Sequence, residues 1–106
     1  MSFRQMRVLI MFDLPVVSSS ERRDYTRFRK YLIKSGFLML QESIYCKLVM
    51  NAVSANQLIE NIKKNKPNNG NVICLKITEK QFSKMEYIVG EKISDVLDST
   101  ERVVIL

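Results

Sequence analysis

The chain has 106 residues, 46% of them hydrophobic, which predicts a single domain with a buried core. Its formal charge is +6, and the excess lies in residues 1–76, where 13 Lys and Arg face 5 Asp and Glu, a balance that favours a polyanionic partner. The absence of histidine and the wide separation of Cys46 and Cys74 exclude zinc-finger spacing, Cys-His nucleophilic pairs and a histidine general base.

The first predicted element is a strand within residues 7–15, ended by Pro15. Its apolar side chains alternate between the two faces, with Val8, Ile10 and Phe12 on one side and Leu9 and Met11 on the other. A strand that is apolar on both faces is normally central in its sheet and covered on both sides. Asp13 stands where this strand gives way to a loop, which is a common place for a functional residue and also for an ordinary turn residue.

A helix is predicted after Pro15, because Ser18 and Glu21 have capping-box spacing, and Gly36 is suited to end it. Its buried stripe comprises Tyr25, Phe28 and Leu32. The basic residues of this helix are Arg22, Arg23, Arg27, Arg29, Lys30 and Lys34. Four of them, at positions 23, 27, 30 and 34, form one ridge, which is either a solvated face or a nucleic-acid-binding surface.

Residues 37–50 read as either one long kinked strand or two strands divided at the polar residues 41–43. A second helix is predicted to begin at Ser54, with Gln57 in the matching capping position. A turn at residues 67–70 then precedes a strand over residues 71–78. We expect the odd-numbered apolar residues of that strand to face inward, and both cysteines to be buried: Ile73, Leu75, Ile77, Cys46 and Cys74.

The last third of the chain predicts a single helical turn at 78–81, a strand at 85–89, an acidic loop at 91–101 and a terminal strand at 102–106. We therefore assign residues 1–90 to a ferredoxin-like domain and residues 91–106 to an acidic loop and C-terminal strand of the same domain. No apolar stretch has the length of a membrane span or of a signal-peptide core, so we expect a cytoplasmic protein with no membrane partner.

The order of elements predicts an α+β fold, a ferredoxin-like βαββαβ sandwich with an additional C-terminal strand. In that layout both helices lie on one face of an antiparallel sheet. The opposite face of the first strand is also apolar, and another element or a second protein has to bury it. We therefore predict a homodimer that packs sheet against sheet about a two-fold axis.

The chain resembles the CRISPR-associated protein 2 family, the small dimeric protein of bacterial spacer acquisition, and most closely the versions found in type II systems. The resemblance covers nearly the whole chain. It is carried by MRVLIMFDLP at 6–15, YTRFRKYL at 25–32, GF at 36–37, QESIY at 41–45 and TEKQF at 78–82. The order and spacing of these segments, more than any one of them, make the likeness specific.

The resemblance implies a ferredoxin-like homodimer that assembles with the CRISPR-associated integrase and binds double-stranded DNA destined to become a spacer. Members of the family have also been assigned metal-dependent cleavage of single-stranded RNA or double-stranded DNA. The family's metal-binding, catalytic aspartate at the end of the first strand falls on Asp13. Its basic helix residues fall on Arg23, Arg27, Arg29 and Lys30.

Three functional hypotheses follow. The leading one is a non-catalytic adaptor that holds spacer DNA and bridges integrase subunits, because a dimer doubles the basic ridge. The second is a Mg²⁺-dependent endonuclease in which Asp13 of each protomer binds the metal, although no other acidic residue lies near Asp13 in the sequence and no general base is evident. The third is a ferredoxin-like regulatory module that binds a small anion or a protein partner.

Overall fold

The structure is a computed structural model that describes residues 5–91, within which one four-stranded antiparallel sheet and three helices are present. The elements in chain order are β1 (Met6–Asp13), α1 (Ser19–Lys34), β2 (Leu38–Gln41), β3 (Ile44–Val49), α2 (Ala52–Lys64), β4 (Asn71–Thr78) and α3 (Glu79–Ser83). The strands lie in the order β2-β3-β1-β4. The predicted α+β class and βαββαβ order are confirmed, with β1 central as expected.

The main core lies between the sheet and helices α1 and α2. The even-numbered side of β1 supplies Val8, Ile10 and Phe12 to it, and all three are buried. The two helices supply Phe28, Leu32, Ala55 and Ile62. The Phe12 ring meets Phe28 edge to face with ring centroids 5.4 Å apart, so the end of β1 is anchored firmly to α1.

The two long helices begin with different capping residues. At α1 the Ser18 hydroxyl accepts a hydrogen bond from the Glu21 amide at 3.1 Å, and the Glu21 carboxylate accepts one from the Ser18 amide at 2.8 Å, which confirms the predicted capping box. The prediction of a Ser54 cap is wrong. Asn51 is the cap of α2, and its side-chain oxygen accepts the Ser54 amide at 2.9 Å, since asparagine satisfies an exposed amide as well as serine does.

Residues 37–50 form two strands, β2 and β3, which settles the alternative left open by the sequence. A turn at Glu42 and Ser43 joins them, and Ser43 has a φ of +65°, in the left-handed region. The pairing of β2 with β3 shifts between Met39 and Gln41. The Phe12 amide donates to the Ser43 carbonyl at 3.0 Å, so this turn is bonded to the end of β1.

The side of the sheet without α1 and α2, here called the helix-free face, carries the odd-numbered residues of β1 and β4. Leu9 lies opposite Leu75, and Met11 opposite Ile73. The prediction that these β4 residues face inward is wrong, because Ile73 is 60% exposed and Leu75 is 47% exposed. Cys74, opposite Ile10, is likewise exposed because β4 is the last strand of the sheet in the described part, whereas Cys46 is buried as predicted.

The helix-free face lacks the two long helices α1 and α2, but the short helix α3 covers one part of it. Helix α3 confirms the predicted helical turn, and Thr78 and Gln81 form its capping box. Phe82 is buried against Leu9 and Cys46. The Arg7 guanidinium lies 4.3 Å from the centroid of the Phe82 ring and donates two hydrogen bonds, of 2.6 and 3.0 Å, to the carboxylate of Glu79.

The predicted strand at 85–89 is wrong, because no strand follows α3 within the described residues. The Met85 amide donates to the Phe82 carbonyl at 3.1 Å, which continues the turn, and Met85 packs beside Phe82. Ile88 and Val89 are 89% and 90% exposed. The predicted acidic loop and terminal strand lie outside the described residues, apart from Glu91. No helix among residues 5–91 combines the length and apolar character needed to cross a bilayer.

Candidate nucleic-acid groove and candidate metal site

A groove of about 870 Å³ runs along the exposed side of α1 and reaches the end of α2. Its basic lining residues are Arg22, Arg23, Arg27, Lys30 and Lys34, and its other lining residues are Ser19, Thr26, Tyr31 and Asn65. No carboxylate of the described residues lines it. The predicted ridge is therefore brought together on one surface with Arg22, while Arg29, predicted with the same set, lies outside the groove lining.

Two of the five groove cations are occupied by contacts within the protein. Arg22 donates to the Val17 carbonyl at 2.6 Å, just before α1. Arg27 donates to the carbonyls of Asn65 and Lys66 at 3.1 and 3.0 Å, and to the Asp24 carboxylate at 3.1 Å. These guanidinium groups therefore stabilise the loops beside the groove, and their hydrogen-bonding capacity toward a ligand is reduced.

The remaining groove cations have no such contacts. The side chains of Arg23, Lys30 and Lys34 make no hydrogen bond or ion pair with any other residue of the described range. An α-helix rises about 1.5 Å per residue, so positions 23 to 34 span roughly 16 Å. Three unpaired cations over that distance suit a chain of phosphates better than a single small anion.

Asp13 is the last residue of β1, as predicted, and its side chain is exposed. In the sheet it lies opposite Asn71, the first residue of β4. The carboxylate makes no hydrogen bond or ion pair with any residue of the described range. It is therefore available to a ligand.

Asp13 lines a pocket of about 320 Å³ at this edge of the sheet. The polar residues that share the pocket are Glu42, Ser43 and Asn71. Glu42 is a second carboxylate that sequence reasoning missed, because it is distant from Asp13 along the chain and reaches the pocket only where the turn between β2 and β3 meets the end of β1. The polar segment 41–43, between two apolar stretches, was the only sign in the sequence that a functional carboxylate could lie there.

The donor set of this pocket can be tested against Mg²⁺, the metal that the resemblance implies. Mg²⁺ takes oxygen ligands, commonly one or two carboxylates with several waters retained. Asp13 and Glu42 supply carboxylate oxygens, and Ser43 and Asn71 supply neutral ones, so the chemistry fits. Within residues 5–91 there is no cluster of three or more Asp, Glu, His or Cys side chains, so one protomer offers a weak site at most.

The structure does not place the groove cations and Asp13 in one pocket. The two linings have no residue in common. The α1 cations therefore do not line the Asp13 pocket, and a ligand that uses both sites has to extend from one lining to the other.

Comparison with known proteins gives the family. Residues 6–85 match the family model described as CRISPR associated protein Cas2. A "CRISPR-associated endoribonuclease Cas2" of Treponema denticola is 50% identical over 101 residues, covering 95% of this chain and 100% of that protein. The chain belongs to the Cas2 family. A Cas2 relative from Streptococcus mutans serotype c is 42% identical over 101 residues, covering 95% of this chain and 93% of the relative.

A solved structure supports the Cas2 fold. A chain described as "Crystal structure of cas2" superposes with a TM-score of 0.57 at 20% identity, covering 85% of this chain and 92% of the other. At that identity the likeness concerns the fold alone. The ferredoxin-like architecture predicted from the sequence is confirmed, while the roles predicted for Asp13 and the α1 cations stay predictions.

Proposed function

We propose that this Cas2 protein binds double-stranded spacer DNA on the α1 groove during CRISPR adaptation, as a homodimer that bridges subunits of the CRISPR-associated integrase. The observation that carries the proposal is the groove itself, with five cations and no carboxylate of the described residues in its lining. Arg23, Lys30 and Lys34 are the phosphate-binding residues in this proposal, because they have no partners within the described part of the protein. Contacts of this kind do not read sequence, which suits a protein that accepts spacers of any sequence.

The homodimer part of the proposal is supported by the helix-free face. Among residues 5–91, four large apolar side chains of its strands are at least 40% exposed: Leu38, Leu48, Ile73 and Leu75. A surface of that kind is typical of an interface rather than of a monomer. Packing two such faces together about a two-fold axis leaves both α1 grooves outward, so that the dimer presents two strips of positive charge to a duplex.

The DNA-binding proposal is tested by neutralising the unpaired groove cations. We expect a variant with Arg23→Gln, Lys30→Gln and Lys34→Gln to bind a short duplex about 100-fold more weakly at low salt, because fewer phosphates are neutralised and fewer counterions are released on binding. The slope of log affinity against log salt should become shallower by about 0.9 for each phosphate that is no longer neutralised. Fluorescence anisotropy with a labelled duplex measures both quantities.

The matched control removes the same charge elsewhere. Lys63, Lys80 and Lys84 are exposed and lie outside the groove lining, and Lys63 pairs with Glu60 at the surface. Their triple Gln variant should keep duplex affinity within about threefold of the wild type. An equal decrease in affinity for the two triple variants would show that net charge, and not the groove, governs binding.

A second candidate function, Mg²⁺-dependent cleavage of single-stranded RNA or double-stranded DNA, is favoured by the exposed Asp13 carboxylate, which has no partner among the described residues. The Cas2 relatives named above carry the word endoribonuclease in their names. In this proposal Asp13 would be the catalytic metal ligand, with Glu42 as a second carboxylate toward the metal, and the neutral Asn71 side chain would orient the phosphodiester. A bound Mg²⁺ supplies a more acidic water and stabilises charge on the departing oxygen.

Asp13→Asn tests this activity, because asparagine keeps the shape of the side chain and removes its charge. We expect at least about a 100-fold lower rate of Mg²⁺-dependent cleavage, with nucleic-acid affinity unchanged within about twofold, since loss of a metal-binding carboxylate removes the main electrostatic contribution. Glu60→Gln, which removes an exposed carboxylate from α2, should cleave at the wild-type rate. Cleavage that survives Asp13→Asn in an identical preparation would contradict this candidate function, because a contaminating nuclease and a different site in this protein are both independent of Asp13.

A further inference from the structure

The turn at residues 65–70 contacts both candidate sites. At its first end the carbonyls of Asn65 and Lys66 accept hydrogen bonds from Arg27, which lines the groove. At its other end Gly70 lies against the end of β1, so close that a Cβ added there would be 2.6 Å from the carbonyl oxygen of Asp13. One short segment thus connects the α1 groove to the residue that carries the proposed metal-binding carboxylate.

Asp24 adds a further attachment between α1 and this turn. Its carboxylate accepts a hydrogen bond from the Asn68 amide at 2.7 Å and another from Arg27 at 3.1 Å. The Asn68 amide and, after it, Arg27 hold the pKa of the Asp24 carboxyl below its ordinary value, so Asp24 is charged at neutral pH. The turn is therefore bonded to α1 through two of its backbone carbonyls and one of its amides.

We propose that Arg27 is a positioning residue for Asp13, acting through the turn at residues 65–70. The guanidinium fork reaches two successive carbonyls and a carboxylate at once, which the single ammonium of a lysine cannot do. By fixing the turn it fixes Gly70, which lies against the Asp13 carbonyl, and Asn71, which pairs with Asp13 in the sheet and lines the same pocket. The inference rests on the second candidate function, in which Asp13 binds a divalent metal.

The test separates the geometry of Arg27 from its charge. Arg27→Lys keeps the positive charge at this position, so its effects report the loss of the guanidinium geometry and not the loss of a charge. The probe is Mn²⁺, whose free concentration is measured by electron paramagnetic resonance. We expect Mn²⁺ to bind the variant about tenfold more weakly, which is the usual effect of removing a residue that orients a metal ligand. Lys30→Gln is the matched control in the same groove. This variant should weaken duplex binding and leave Mn²⁺ affinity unchanged.

Amide hydrogen exchange gives the readout that does not depend on a metal. In Arg27→Lys, exchange within residues 68–72 should rise at least about tenfold, while exchange in β3 stays at the wild-type rate, which excludes general loss of stability. Unchanged exchange in residues 68–72 would overturn the positioning role. If Asp13→Asn leaves Mn²⁺ binding intact, the metal site itself fails, and the exchange result alone then decides whether Arg27 fixes the turn.

Asp24→Asn provides a second variant should Arg27→Lys fail to fold. This variant removes the negative charge of the carboxylate to which Arg27 and the Asn68 amide both donate. The hydrogen bonds from Arg27 to the two backbone carbonyls are kept. We expect a smaller change in the same direction, with Mn²⁺ binding about threefold weaker and exchange raised in residues 68–72. Wild-type values for both would count against the proposal.

Discussion

Gly70→Ala should lower the free energy of unfolding by about 3 kcal/mol. Gly70 has a φ of +90°, which side chains other than glycine rarely adopt, and the added Cβ would meet the Asp13 carbonyl oxygen at 2.6 Å and the Leu14 Cα at 3.0 Å. Because both of these atoms belong to the backbone, they cannot move aside cheaply. Urea denaturation at one fixed protein concentration measures the change, since a dimer's stability depends on concentration.

Gly90 offers a matched control. Its φ is +104°, also in the left-handed region, but no atom of the described residues lies within 4 Å of an added Cβ. Gly90→Ala should therefore lower the free energy of unfolding by about 1 kcal/mol, because only the unfavourable backbone conformation contributes and no steric overlap is added. Equal decreases in stability for the two variants would show that the contact between Gly70 and the end of β1 contributes nothing.

Leu75→Glu should convert the proposed homodimer to a monomer. Leu75 is 47% exposed on the helix-free face, and in the dimer a carboxylate there would be buried without a partner. We expect the dimer dissociation constant to rise at least about 100-fold, since an unpaired buried charge costs several kcal/mol. Ile73 is the less suitable position, because it also lines the Asp13 pocket.

Sedimentation velocity at micromolar concentration measures the change. Val53→Glu is the control, because Val53 is 74% exposed on α2 and lies away from the helix-free face, so this variant should remain dimeric. A wild-type protein that sediments as a monomer under these conditions would contradict the sheet-to-sheet dimer. A Leu75→Glu variant that stays dimeric would place the interface elsewhere.

The sequence predicted the elements whose signals are local. The capping box of α1, the apolar stripe through Phe28 and Leu32, and the central position of β1 each depend on residues within one or two helical turns or one strand. The face of β4 was predicted wrongly because both of its faces carry apolar residues. Where the alternation is that weak, a period of two cannot tell which set faces the helices, and the register against β1 decides it.

The candidate sites depended more on long-range contacts. The spacing of the α1 cations was enough to predict their common surface, because that surface lies on one helix. The pairing of Arg27 with carbonyls 38 and 39 positions away could not be predicted, and it divides the basic residues into those that hold the protein together and those that are available to a ligand. The presence of Glu42 in the Asp13 pocket could not be predicted either, because it depends on the contact between the β2–β3 turn and the end of β1.

The position of α3 has a consequence for how any partner sits on the helix-free face. Leu9, beneath Phe82, is 6% exposed, whereas Ile73, beside the Asp13 pocket, is 60% exposed. Within residues 5–91, α3 thus shields one end of this surface, and the end next to Asp13 is exposed. In the proposed homodimer we therefore expect the partner to contact this surface mainly at the end next to Asp13 and away from Phe82.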